Sequence, residues 1–222
     1  MTSDKNRVAI IDYGMGNLYS VKQACAHSGM DAFITSDRKK ISESVAAILP
    51  GVGAFGDAMV NLEKLDIIGT IKEFIDSGKP FMGICLGLQL MMTESEEFGS
   101  HKGLDIFRGS VVRFSEKTVK KIPQVGWNNI YLPEWKEKDA WDSSPLKGLS
   151  QDECMYFVHS YYVIPEDENN ILALTSYEGT EYCSAIKCRN VFACQFHPEK
   201  SADRGLSVYR NMKLEILERR SR

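Results

Sequence analysis

Three stretches in the first half of the chain are apolar throughout and stop abruptly in glycine-rich turns: VAII before DYGMGN, VAAIL before PGVG, and FMGI before CLG. A strand with one wet face alternates apolar and polar residues, so unbroken apolar runs belong to a sheet buried on both faces. Between them lie segments with helical spacing. Leu18, Val21, Ala24 and Cys25 recur within 18–27, and an amphipathic stretch at 67–75 stops at Ser77-Gly78-Lys79-Pro80. This alternation predicts an α/β protein with a mostly parallel central sheet flanked by helices, its strands at 7–11, 31–35, 45–49 and 81–84. The second half changes character. Segments 109–114, 121–131, 153–158, 171–177, 182–188 and 191–196 predict additional antiparallel strands, with turns such as Tyr177-Glu178-Gly179-Thr180. Residues 132–148, with Pro133, Pro145 and the charged run KEKD, predict a surface loop, and 202–219 a closing helix with Leu206, Tyr209, Met212 and Ile216 on one stripe.

The 222 residues suit a single domain over 1–222 with a core that needs no covalent staples. A net charge of −3 argues against a nucleic-acid binder. No run approaches the roughly 20 apolar residues of a membrane span, and MTSDKNR does not open a secretory signal. Six scattered cysteines without a C-x-x-C pair are neither a zinc pattern nor a disulfide framework, so the expectation is a cytoplasmic protein with reduced thiols and no metal.

Ligands of open parallel sheets gather beyond the carboxyl ends of the strands. The glycine-rich segments 14–17, 51–53 and 83–87 all fall at such ends. In GICLG, Cys85 is pinched between a strand ending at Ile84 and a helix predicted over 86–92, with Gly83 and Gly87 beside it. That is the form of a nucleophile elbow, whose strained turn lifts the side chain towards a helix N-terminus that favours a thiolate. A buried structural cysteine is the alternative. A thiol nucleophile needs a base and a group to orient it. His27 and His101 read as surface residues, which leaves His159 after CMYFV and His197 after VFACQF. His197 is followed two residues later by Glu199, whose carboxylate could fix the imidazole tautomer; His159 remains a rival. The N–H of Leu86 and a second donor from Pro50-Gly51-Val52-Gly53 would form an oxyanion hole. The residues themselves lead to a cysteine acyl-transfer enzyme and no further.

PFMGICLGLQL together with ACQFHPEKS resembles the class I (triad) glutamine amidotransferases, whose catalytic order is Cys…His-x-Glu. VAIIDYGMGNLYSV, LPGVGAFGDAM, KIPQVGWNNI and YFVHSYY are similar to one branch, the glutaminase subunits of imidazole glycerol phosphate synthase, over residues 7 to 215 or so. The resemblance implies a flavodoxin-like fold and L-glutamine hydrolysed at Cys85, with His197 as base and Glu199 orienting it. It implies oxyanion N–H groups at Val52 and Leu86, and glutamine held by Gly51, Gly53, Gln89, Ser160 and Tyr161. No cofactor is implied. Ammonia would pass to a separate (β/α)₈-barrel cyclase subunit of a heterodimer, which makes imidazole glycerol phosphate and AICAR in histidine biosynthesis. Asn17, Trp127, Tyr156 and Lys200 match positions facing that cyclase. The branch usually has Pro-His-Met/Ile-Gly-Trp-Asn where this chain has Pro123-Gln124-Val125-Gly126-Trp127-Asn128. The departure leaves open a paralogous glutaminase that supplies ammonia, through a cyclase-like partner, for amidine formation on a surface-polysaccharide sugar. A non-catalytic regulatory subunit and a stand-alone cysteine hydrolase are the alternatives from other classes.

Overall fold

The computed structural model describes residues 7–220; the MTSDKN part of the opening segment lies outside the described residues. The first half runs β1 (Val8–Ile11), α1 (Leu18–His27), β2 (Ala32–Thr35), α2 (Arg38–Glu43), β3 (Ala46–Gly51), α3 (Phe55–Lys64), α4 (Ile68–Asp76), β4 (Phe81–Cys85) and α5 (Leu86–Leu90). The second half adds β5 (Met92–Ser95), β6 (His101–Lys102), β7 (Phe107–Arg113), β8 (Gln124–Ile130), β9 (Glu153–His159), β10 (Tyr161–Pro165), β11 (Ile171–Tyr177), β12 (Thr180–Cys188), β13 (Val191–Cys194) and α6 (Ala202–Arg220).

Strands β2-β1-β3-β4-β13 pair in parallel in that order, the flavodoxin-like arrangement. The sheet continues through β12-β10-β7-β5-β6, with β11 alongside β12, and most of these pairings are antiparallel. An antiparallel pair, β8 and β9, stands apart from the large sheet and touches it where Tyr131 pairs with Leu174.

The strand pleat sorts side chains into two cores. Ala9 and Ile11 of β1, with Ala47 and Leu49 of β3, pack under Ile41, Phe55, Leu62, Ile71 and Phe74 of α2, α3 and α4. Val8, Ile10, Ala46 and Ile48 point the other way, to Val21 and Cys25 of α1 and to Tyr209, Met212 and Ile216 of α6. Burial on both faces is why these strands carry no polar residue, and each fully buried Ile, Leu or Phe contributes about 1.5–3 kcal/mol.

Several elements depart from the sequence expectation. α2 is six residues with one buried side chain, Ile41, so it has no periodicity to read; it is set by Asp37, whose side chain accepts from Lys40 N at 3.1 Å. α3 was not read from the sequence, although Phe55, Ala58, Met59 and Leu62 have the spacing of one helix face. The helix expected over 86–92 ends at Leu90, and Met92–Ser95 turns out as a strand paired with β7. Residues 132–148 are turns, as expected, but not simply surface: Trp141 is buried and its indole N–H donates to Leu172 O at 2.8 Å, and Leu146 is buried too.

Candidate functional site

Cys85 ends β4 and begins α5 with φ of 54° and ψ of −107°. A non-glycine residue in that region stores about 1–3 kcal/mol of strain and persists only where its surroundings enforce it. The neighbours here do so. A Cβ at position 87 would lie 1.9 Å from the carbonyl oxygen of Leu49, so glycine lets α5 press against β3 directly behind the elbow. On the adjacent strand Gly51 stands in parallel register with Cys85. There a Cβ would meet the Tyr13 hydroxyl at 2.0 Å, so glycine is required again.

His197 follows β13 at the same carboxyl edge. Its Nδ1–H donates to Glu199 Oε1 at 2.7 Å, and the two side chains are 3% and 2% exposed. Burial works against protonation of this imidazole. The Cys85 sulfur and then the Glu199 carboxylate outweigh it and raise the pKa to about 10. Nε2, the nitrogen left after Glu199 has taken Nδ1, has no partner of regular hydrogen-bond geometry among the described residues. The turn is clamped: Ser201 Oγ donates to His197 O at 2.7 Å and accepts from Tyr156 N at 2.9 Å, while His197 N donates to Tyr156 O at 2.9 Å.

His159, the rival base, is engaged elsewhere. A carbonyl can only accept, so its Nδ1–H donates to Tyr161 O at 2.8 Å, and Nε2 lies 3.2 Å from the Tyr182 hydroxyl. Burial pushes its pKa down to about 3, against that hydrogen bond, and the charge of His197 lowers it further. It is a neutral strand-end histidine, its one N–H held by the Tyr161 carbonyl.

A cavity of about 300 Å³ opens in front of the thiol, bounded by Val52, Gly53, Leu86, Gln89, Ser160 and Tyr161, with Glu97 closing another side. Of the residues expected to hold substrate, Gly53, Gln89, Ser160 and Tyr161 therefore come together around Cys85. Gly51 lies beneath, beside the nucleophile in register but not on the wall. Leu86 is the first residue of α5, where helical N–H groups have no intrahelical acceptor, so its N–H is available to an oxyanion. Because α5 is only five residues long, its dipole adds less than a long helix would.

Three of the expected docking residues form one surface group. The Trp127 and Tyr156 rings meet edge to face at 6.1 Å, and Lys200 Nζ sits 5.8 Å from the Tyr156 ring centre. Trp127 is 56% exposed, which excludes core packing as its role. Asn17 is exposed at the start of α1, where its side chain accepts from Ser20 N at 3.2 Å.

Two site residues escaped the sequence reading. Gln195 is fully buried, with Nε2 3.5 Å from Cys85 Sγ; a polar residue in the otherwise apolar run VFACQF was the available signal. Glu97 accepts from Phe55 N at 2.6 Å and its carboxyl is raised by burial, but nothing in the acidic run ESEE singles it out.

Fold and site together define a thiol acyl-transfer class, and the comparisons agree. The model of the class-I glutamine amidotransferase family matches residues 9–215. Solved structures of similar fold include PurLQS from Thermotoga maritima (TM-score 0.71, 18% identity, covering 95% of this chain and 98% of that one). Another is the glutaminase domain of Trypanosoma brucei CTPS (TM-score 0.64, 18% identity, covering 96% and 94%). Among curated relatives, the imidazole glycerol phosphate synthase subunit HisH of Aquifex aeolicus is 47% identical over 93% of this chain and 96% of its own. The HisH of Caldanaerobacter subterraneus is 48% identical over 92% and 96%. The chain belongs to the class-I glutamine amidotransferase family and, within it, to the HisH subunits of imidazole glycerol phosphate synthase.

Proposed function

We propose that the chain is a one-domain glutaminase that hydrolyses L-glutamine through a Cys85 thioester and passes ammonia to a separate cyclase subunit with a (β/α)₈-barrel fold, in histidine biosynthesis. The observation that carries the chemistry is the buried His197–Glu199 pair bearing on a strained Cys85 at the edge of the cavity. The HisH relatives supply the pathway.

Glutamine enters with its carboxamide towards Cys85. Glu97, the one carboxylate among the cavity residues, suits the substrate's α-ammonium group. With its proton on the imidazole, the Cys85 sulfur attacks the carboxamide carbon, and the oxyanion is met by the N–H groups of Val52 and Leu86. One such donor is worth about 10²–10³ in rate. His197 Nε2–H protonates the departing nitrogen, ammonia leaves, and the thioester remains. His197 then takes a proton from water as it attacks, and collapse of the second tetrahedral species frees glutamate. One glutamine and one water give one glutamate and one ammonia.

Ammonia released into neutral water is mostly protonated and useless as a nucleophile, so transfer must be enclosed. The surface group of Trp127, Tyr156 and Lys200, with Lys200 in the triad turn and Tyr156 hydrogen-bonded to its backbone and to Ser201, suits a docking face around that exit. Of the two residues that depart from the branch pattern, Gln124 is buried and accepts from the Tyr182 hydroxyl at 2.9 Å. Val125 is 49% exposed and would face the partner.

The test is glutamate release by the purified chain with the histidine-pathway cyclase, with and without the cyclase's nucleotide ligand. A large rise requiring both supports the reading. Rapid release by the chain alone would replace it with a stand-alone hydrolase. No rise with an active cyclase would move the partner to the barrel protein of the sugar-modifying pair. Absence of all glutaminase activity with either partner would leave the regulatory subunit.

A further inference from the structure

A relay of side-chain amides runs from the substrate cavity to the nucleophile, and its direction is fixed at one end. Gln89 donates Nε2–H to the Tyr161 carbonyl at 2.9 Å, which fixes which end of the Gln89 amide carries nitrogen. The second N–H of the same Nε2 donates to Gln195 Oε1 at 3.1 Å. With its oxygen so engaged, Gln195 must turn its own Nε2 the other way, and there it lies 3.5 Å from Cys85 Sγ. Both glutamines are buried, so no water competes for these groups. The backbone of Gln195 is held too, its N–H donating to Ser184 O at 2.9 Å.

We propose that Gln195 is a catalytic residue: a fixed N–H donor to the Cys85 sulfur, distinct from His197, oriented by Gln89 from the wall of the glutamine cavity. A donor aimed at sulfur favours the charged nucleophile and is lost when the sulfur bonds to carbon. The same contact limits the rotation of Sγ, so that it meets the carboxamide from one direction. Because Gln89 and Tyr161 line the cavity, a substrate that presses on either also bears on the amide that holds the sulfur. A buried glutamine that merely filled space could point either way; the Tyr161 carbonyl removes that freedom.

The inference rests on Cys85 being the nucleophile, and the test separates the two. Glutamate release is measured in the partner complex for wild type and C85A. Iodoacetamide alkylation of Cys85 in the full chain is followed by peptide mass against pH, for wild type and for Q195M, Q195E and Q89E. Q195M keeps the volume and removes the donor. Q89E leaves Gln195 in place, but its carboxylate captures the Gln195 N–H groups and turns that oxygen towards sulfur. The pH of half-maximal alkylation should rise by about one unit in Q195M and Q89E, and further in Q195E. Glutamine turnover in Q195M should fall about tenfold in kcat with a smaller change in KM. Wild-type alkylation profiles in folded Q195M and Q89E would overturn the role of Gln195 while C85A remained inactive. Activity in C85A would instead overturn the nucleophile itself.

Discussion

His159 ends β9 and His197 follows β13, at 7% and 2% exposure, yet the protein holds them in opposite charge states. Burial favours the neutral imidazole in both. Around His159 nothing anionic answers that cost: its partners are a carbonyl and a tyrosine hydroxyl, and the nearby positive His197 adds to it. Around His197 a buried carboxylate on one nitrogen and a sulfur on the other side reverse it. The lesson is that exposure does not identify the working histidine; the neighbours left for its two nitrogens do. One imidazole is spent on structure and the other is free to exchange a proton.

The largest effect should come from breaking the active side of this comparison. H197N in the partner complex is expected to lose about 10³-fold or more in glutamate release, measured as kcat, while binding to the partner persists. E199Q is next, with a fall of about 10²-fold and a His197 titration moved down from about 10.

Breaking the other side should cost stability instead. H159N loses the buried hydrogen bond to the Tyr161 carbonyl and is expected to destabilise by about 1–3 kcal/mol in urea unfolding, with kcat reduced far less than in H197N.

The two histidines also predict opposite pH limbs. The folded-state pKa of His197 lies above its unfolded value of about 6.5, so its contribution is complete below that pH and is lost as pH rises towards about 10. The folded-state pKa of His159 lies below, so its contribution is complete above about pH 6.5 and is lost as pH falls towards about 3. Urea midpoints at pH 4.5, 7 and 9.5 or thereabouts would show the two limbs, and E199Q should flatten the alkaline one.

The smallest expected effect concerns Tyr13, whose buried hydroxyl has no hydrogen-bond partner among the described residues. Y13F should leave stability unchanged or raise it by about 1 kcal/mol. A loss of that size would mean the hydroxyl is bonded in solution.

How much of this was readable beforehand follows the same division. The parallel half was largely legible, because strands buried on both faces write themselves as apolar runs and the elbow needs glycine at fixed places such as Gly87. α2 was not, being held by the Asp37 cap rather than by a buried face. Nor was β5, whose Met-rich start reads equally well as the next turn of α5 and is decided by pairing with β7. At the site, His197 and Glu199 could be paired from their spacing, but choosing His197 over His159 required knowing which carbonyl and hydroxyl His159 meets. Gln195 and Glu97 depend on residues about 100 and 40 positions away, at Cys85 and Phe55, and no local pattern announces contacts of that range.

The most direct measurement is an NMR titration of the imidazole nitrogens in the uniformly ¹⁵N-labelled full chain, assigned with H159N and H197N. The account predicts that His197 stays protonated well above neutrality while His159 stays neutral well into the acid range. Two imidazoles that both titrate near the ordinary value of about 6.5 would contradict it.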